Sequence, residues 1–351
     1  MIINIINSLH NAHDIGGEIE MKKGIRNTAV LFMVTWLSIL LLACGNQATT
    51  PAADADDSKV ATETTETQTA TEETNEGETR LFKDWTGHDV EVPVTPKRVI
   101  YHGEVTGDLL ALGVVPVGIL RQDGTVYDDQ VAQAEDVGFP ISVEKALALN
   151  PDLIIFSNSD ESQYDQISKV APTVTFDSFG SIEDRMRILG DLLNKKQEAE
   201  DWITAHQKAT EEMWTQLHEN GLKEGETASV FTMYPGNRLF VMAGAGLPQM
   251  LYGKDGLKPT AEIQKVLDED MGFVEISTEK LSEFAGDRIF ILDPVTDDAK
   301  QSTKELLDSS IWKNLPAVKE GKVYRFDITK ASSDALSREW LLKELPKQMI
   351  Q

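Results

Sequence analysis

Five short stretches of this 351-residue chain carry side chains able to hold a ligand. They are Tyr101-His102, Arg121-Gln122, Ser157-Asn158, the turn from Tyr234 to Arg238, and Thr329-Lys330. Each lies at or just beyond an apolar run that reads as a β-strand, and open α/β sheets form their crevices at the carboxyl ends of strands. A guanidinium pairs with anionic oxygens and stacks on rings, and tyrosine offers a flat face with a polar tip. The set suits an anionic, aromatic or bulky ligand. Tyr101, His102, Arg121, Gln122, Asn158, Tyr234, Arg238 and Lys330 are the ligand-binding candidates, with Arg121, Tyr234 and Arg238 foremost. Nothing points to catalysis. There is no GxSxG elbow, no HExxH and no Walker A loop. Gly244-Ala245-Gly246 is half of a dinucleotide fingerprint, but Gln249 stands where the third glycine belongs, so it reads as a turn. The histidines beyond Cys44 are His88, His102, His206 and His218, scattered along the chain. A bare metal-ion receptor would gather His and carboxylates, so that reading is the weaker alternative and no metal site is assigned.

The elements that must position these residues alternate. Arg98–Tyr101, Val115–Leu120, Leu153–Phe156 and Thr173–Phe176 read as strands, with helices at Thr106–Leu112 and Val143–Leu149. This is the pattern of a parallel α/β sheet. From Ile182 to Asn220 the chain reads as one long helical stretch, with Trp202, His206, Ala209, Met213 and Leu217 on one face and Gly221 and Gly225 beyond its end. Strands resume at Ala228–Met233, Leu239–Met242, Arg288–Leu292 and Lys322–Phe326. Ser142-Val143-Glu144-Lys145 and Ser277-Thr278-Glu279-Lys280 each lead, at the same spacing, into Asp-x-Ile strands 135 residues apart. Each copy reads as an N-cap serine, a first-turn glutamate, a helix and a buried strand. The expected architecture is two α/β lobes joined by a single long helix, with a ligand cleft between them. The lobes span 81–181 and 225–351, and the bridging helical segment 182–224.

The N-terminal part is of a different kind. Lys22, Lys23 and Arg26 precede the apolar run Ala29–Ala43, which is shorter than the roughly 20 residues of a spanning helix. Residues 21–43 therefore read as a secretory signal. Its end, Leu41-Leu42-Ala43-Cys44-Gly45, resembles the lipobox of bacterial lipoproteins, which makes Cys44 a lipidated N-terminus and the lipid the only membrane attachment. Residues 1–20 contain no Lys or Arg and read as a non-translated extension, with Met21 as the start. Residues 44–80 hold nine acidic and two basic side chains among Thr and Ala, the composition of a disordered acidic tether spanning roughly 30–40 Å. The net charge of −25 argues against a nucleic-acid-binding face, and a lone cysteine excludes a disulfide framework.

The order and spacing of VPVTPKRVIY (92–101), DLLALGVVPVG (108–118), VEKALALNPDLIIF (143–156), KVAPTV (169–174), EISTEKLSEFAGDRIFI (275–291) and IWKNLPAVKEGKVY (311–324) resemble one family. It comprises the lipoprotein substrate-binding proteins of ABC importers for ferric siderophores, haem and cobalamin. The resemblance implies a non-enzymatic, monomeric receptor on the outer face of the cytoplasmic membrane, without an intrinsic cofactor. It would capture a ferric siderophore, or alternatively haem or cobalamin, and deliver it to an ABC permease and its ATPase subunits. It also implies that Glu144 and Glu279, one per lobe, dock on the permease. Relatives that hold catecholates use a basic triad, and two of its positions fall here on Thr125 and Thr232. Arg121 and Arg238 are the candidate substitutes, and catecholate, hydroxamate and carboxylate chelators all stay open. A continuous bridging helix is a poor hinge, so closure on ligand is expected to be a small rotation.

Overall fold

The computed structural model describes residues 77–350. The extension at 1–20, the signal at 21–43, Cys44 and nearly all of the tether lie outside the described residues. The ordered chain opens with a hairpin of β1 (Thr79–Lys83) and β2 (Asp89–Pro93), paired from Thr79↔Pro93 to Lys83↔Asp89. The folded body thus starts inside the expected tether boundary. Arg80 is fixed there, its Nη2 lying 2.6 Å from the Asp191 carbonyl and 3.2 Å from the Asp191 carboxylate.

The first lobe is a five-stranded parallel sheet. Its strands are β3 (Val99–His102), β4 (Gly118–Ile119), β5 (Glu135–Asp136), β6 (Leu153–Phe156) and β7 (Thr173–Thr175), in the order β5-β4-β3-β6-β7. Every residue of β3, β6 and β7 is buried, which is why β6, Leu153–Phe156, is an unbroken apolar run rather than an alternating one. Helices α1 (Thr106–Ala111), α2 (Val143–Ala148) and α3 (Glu161–Ile167) complete the lobe. The strand order reverses between β3 and β6, and that switch point opens the crevice.

The bridging segment is two helices, not one: α4 (Ile182–Leu192) and α5 (Lys196–Glu219). Asn194 separates them at φ 57°, a left-handed conformation that asparagine tolerates better than most residues. The junction is tight, because a Cβ on Gly190 would sit 2.7 Å from the Ala199 Cβ. Helix α5 runs for about 36 Å. Its Ala199 and Ile203 join the first-lobe core, while Met213, Trp214 and Leu217 join that of the second lobe.

The second lobe holds a mixed sheet rather than a wholly parallel one. Its strands are β8 (Thr227–Tyr234), β9 (Arg238–Met242), β10 (Lys258–Pro259), β11 (Phe273–Ile276), β12 (Arg288–Asp293) and β13 (Val323–Asp327), ordered β11-β9-β8-β12-β13 with β10 beside β8. The β8, β12 and β13 strands are parallel, whereas β9 is antiparallel to both β8 and β11. The Tyr234–Arg238 turn makes β8–β9 a hairpin, closed by Gly236 (φ 83°) and Asn237 (φ 58°). Around the sheet lie α6 (Pro248–Leu251), α7 (Ala261–Asp268), α8 (Leu281–Phe284), α9 (Asp297–Asp308), α10 (Ser310–Lys313), α11 (Pro316–Lys319) and α12 (Ala335–Met349). The two echoed segments keep their order but not their detail. Ser142 Oγ accepts the Lys145 amide at 3.3 Å and starts α2, while Ser277 heads a single 3-10 turn before α8 without capping an amide.

Helix α12 is a second element shared by the lobes, although the sequence placed it wholly in the second. Ala335 belongs to the first-lobe core, Leu341 and Leu345 to the second. Asp334 caps the helix by accepting the Ser337 amide at 2.9 Å. Asp108 of α1 holds its start, accepting Arg185 Nε at 2.9 Å and the Ala335 amide at 2.7 Å. Arg185 Nη2 in turn donates to the Ser333 carbonyl at 2.7 Å. Burial pushes the Asp108 carboxyl upward, and the Arg185 charge and hydrogen bond oppose that shift. Replacing Asp108 with Ala strips a buried guanidinium and a helix-start amide of their acceptor. The expected loss in urea unfolding is about 3–5 kcal/mol. A loss below about 1 kcal/mol, the worth of an exposed pair, would contradict this.

Candidate ligand cleft between the two lobes

The carboxyl ends of both sheets face one cavity of about 390 Å³, within the range usual for small-molecule sites. From the first lobe come Glu104 after β3, Leu120 to Asp123 after β4, and Ser178 and Phe179 after β7. From the second come Met233 to Pro235 at the β8–β9 hairpin, Met242 at the end of β9 and Ala245 beyond it, Leu292 and Pro294 to Thr296 at the end of β12, and Ile328 and Thr329 after β13. The walls are mainly apolar. Phe179 and Val295, on opposite lobes, are 51% and 56% exposed, so each lobe presents bare apolar surface at the cleft. Where the lobes meet beside it, Thr329 Oγ1 donates to the Gly124 carbonyl at 2.8 Å.

Three of the eight expected ligand residues line this cleft: Arg121, Gln122 and Tyr234. Arg121 is positioned by its own hydrogen bonds. Its Nη2 donates to the Val131 and Ala134 carbonyls at 3.2 and 2.5 Å, which fixes the guanidinium against the following loop. Tyr234 packs edge-on against Phe240 with centroids 4.9 Å apart. Burial pushes its phenol well up, so the hydroxyl stays protonated and available as a donor.

The other five are placed elsewhere. Tyr101 is fully buried in the first-lobe core, where its hydroxyl accepts the Val105 amide at 3.2 Å. His102 is buried between Phe139 and Phe156 and bonds the Gly138 carbonyl at 3.0 Å through Nε2, and burial lowers its pKa. Both lie inside β3, which ends one residue later than the sequence suggested. Asn158 accepts the Asp160 amide at 2.9 Å in a local turn. Arg238 is paired with Glu275 of β11 at 2.6 Å and lies over the Phe240 ring. Lys330 is outside the lining, while its neighbour Thr329 is part of it. Arg238 therefore lies outside the cleft lining, held by Glu275. The two triad positions are structural hydroxyls: Thr125 bonds Asp128 at 2.5 Å and Thr232 donates to the Leu292 carbonyl at 3.0 Å.

Glu104, Phe179 and Val295 were missed by the sequence reading. Glu104 is the second residue past β3, and the strand-end rule would have found it had β3 been extended by one residue. Its Oε2 accepts Ser178 Oγ at 3.0 Å. Burial raises its pKa, against the Ser178 hydrogen bond and the Arg185 charge. Glu144, in the first turn of α2, and Glu279, in the 3-10 turn before α8, are both exposed. Glu279 accepts from its own amide and from the Ser277 hydroxyl, which lower its pKa. Among the described residues no group of three or more His, Cys, Asp or Glu converges in a way that could hold a metal ion, and no helix is long and apolar enough to cross a membrane.

Comparison with known proteins gives a consistent picture. The sequence profile of the periplasmic binding protein family matches residues 99–328. The iron(3+)-hydroxamate-binding protein YxeB of Bacillus subtilis is 31% identical over 70% of this chain and 77% of its own. The iron(3+)-hydroxamate-binding protein FhuD of the same organism is 30% identical over 84% and 89%. Among solved structures, the FhuD protein of S. pseudintermedius superposes with a TM-score of 0.69 at 25% identity, over 78% of this chain and 98% of that one. With its two α/β lobes, shared helices and inter-lobe cleft, this chain belongs to the periplasmic binding protein family.

Proposed function

We propose that the protein captures a ferric siderophore of the hydroxamate class in the inter-lobe cleft and hands it to an ABC permease. The observation that carries the class is the charge of the cleft. Among the described lining residues Arg121 is the one cation, and part of its guanidinium is already committed to carbonyls. A ferric tris-catecholate carries three negative charges and calls for several cations, whereas a ferric tris-hydroxamate is neutral and suits apolar walls with few polar contacts. The names of the two Bacillus subtilis relatives favour the same class. Arg121 and Tyr234 hold the oxygen-rich face of the complex, and Phe179 and Val295 cover its hydrocarbon part.

The rest of the role follows from the sequence. Cys44 is lipidated after signal cleavage and anchors the protein on the outer face of the cytoplasmic membrane, with the acidic tether as spacer. Glu144 and Glu279 project from corresponding places on the two lobes and pair with cations on the permease, setting orientation more than affinity. ATP is hydrolysed by separate subunits, and the receptor itself acts as a monomer.

Calorimetric titration with a ferric tris-hydroxamate should give saturable submicromolar binding, with a ferric tris-catecholate at least about tenfold weaker. The reverse order, or binding of haem or cobalamin alone, would overturn the substrate class. Arg121→Gln is expected to weaken binding of the hydroxamate complex by about tenfold, the scale of one charge-assisted hydrogen bond. Arg238→Gln should change it less than about twofold; equal effects would place the ligand elsewhere. The pair Glu144→Arg and Glu279→Arg should leave the calorimetric affinity unchanged and abolish iron uptake by cells. Uptake at the unmodified rate would refute docking through these residues.

A further inference from the structure

We infer that Glu104 selects for chelates that carry a positive charge, by pairing with an ammonium arm of the bound iron complex. The inference rests on the hydroxamate reading and adds to it the preferred charge of the ligand. Among the described lining residues the charged groups are Glu104, Asp123 and Arg121, two carboxylates against one guanidinium. The Arg121 guanidinium is turned toward the Val131 and Ala134 carbonyls. Arg185 lies behind Glu104 but is bound to Asp108 and to the carbonyls of Ser178, Gly180 and Ser333. No ion pair to Glu104 is formed among the described residues, whose one side-chain bond of this kind is the neutral Ser178 hydroxyl. That hydroxyl aims the carboxylate without neutralising it. Asp123 is exposed and sits further along the β4 loop, where water screens it.

Glu104 also occupies the switch point beyond β3, on the first-lobe wall of the cleft. A carboxylate held there, against apolar walls, is worth more to a cation than one in water. A neutral complex gains nothing from it, and an anionic one is repelled. A linear tris-hydroxamate with a terminal primary amine carries one positive charge at neutral pH. Acetylating that amine removes the charge and leaves the iron coordination intact. The two forms therefore isolate the contribution of Glu104.

The test is calorimetric titration of the purified protein with the ferric complex of a linear amine-terminated tris-hydroxamate and with its N-acetyl form. The unmodified protein should bind the amine form about tenfold more tightly, and the ratio should shrink as salt is added. Glu104→Gln retains an oxygen to accept from Ser178 and should bring the ratio to about one. Asp123→Asn should keep most of the preference. Strong but equal binding of both forms by the unmodified protein would overturn this inference and leave the hydroxamate reading standing. A preference that survives in Glu104→Gln and disappears in Asp123→Asn would overturn the assignment to Glu104. Failure of both complexes to bind the unmodified protein would overturn the hydroxamate reading and this inference with it.

Discussion

One buried carboxylate, Asp108, ties together the pieces that shape the cleft. It lies on α1 of the first lobe, bonds Arg185 of α4 and receives the first amide of α12. The packing around it leaves no slack: a Cβ on Gly107 would come within 1.9 Å of the Asp334 carboxylate. A buried charge of this kind costs several kcal/mol unless it is paired and hydrogen-bonded, and here both conditions are met. The pair consequently fixes where α12 begins relative to α1, and with it the chain from Ala331 to Ser333 that borders the cleft.

The lobes are joined more firmly than a single bridge would allow. Helices α5 and α12 each contribute to both hydrophobic cores. Two helices that span both lobes restrict bending to small adjustments, unlike receptors whose lobes swing on loops. A cleft of nearly fixed shape suits a rigid, compact iron complex, because little of the binding energy goes into ordering the protein. It also makes the chemistry of the lining decisive. On the proposed reading, apolar surface from Phe179 and Val295 would accept many chelates, while the scarcity of cations and the presence of Glu104 would disfavour strongly anionic ones.

Much of this was legible in the sequence, and the failures have physical causes. The central strands β3, β6 and β12 stand out because almost every residue in them is buried, which forces continuous apolar runs. The two-residue strands β5 and β10 are too short to carry a period and were not read, while β4, at Gly118–Ile119, was read over the longer run Val115–Leu120. The break at Asn194 was missed because the flanking residues are good helix formers and only the backbone conformation of one asparagine interrupts them. The strand-end rule located the cleft but not all of its residues. An aromatic at the end of a strand can face the core or the ligand, and for Tyr101 only the packing of α1 and Phe176 decides. Arg238 was assigned to ligand because its partner, Glu275, is 37 residues away and meets it only once β9 pairs with β11. Glu104 escaped for the opposite reason: an acidic residue looks out of place in a site expected to attract an anion.

The central claim is that the iron complex sits between the lobes, against Arg121 and Tyr234. An anomalous difference map at the iron absorption edge, from crystals of the protein grown with a ferric tris-hydroxamate, tests it most directly. The account predicts one strong peak inside the cleft, bordered by Arg121 and Glu104 on one side and Tyr234 on the other. A peak outside the cleft, or an iron held directly by protein side chains without its chelator, would contradict it.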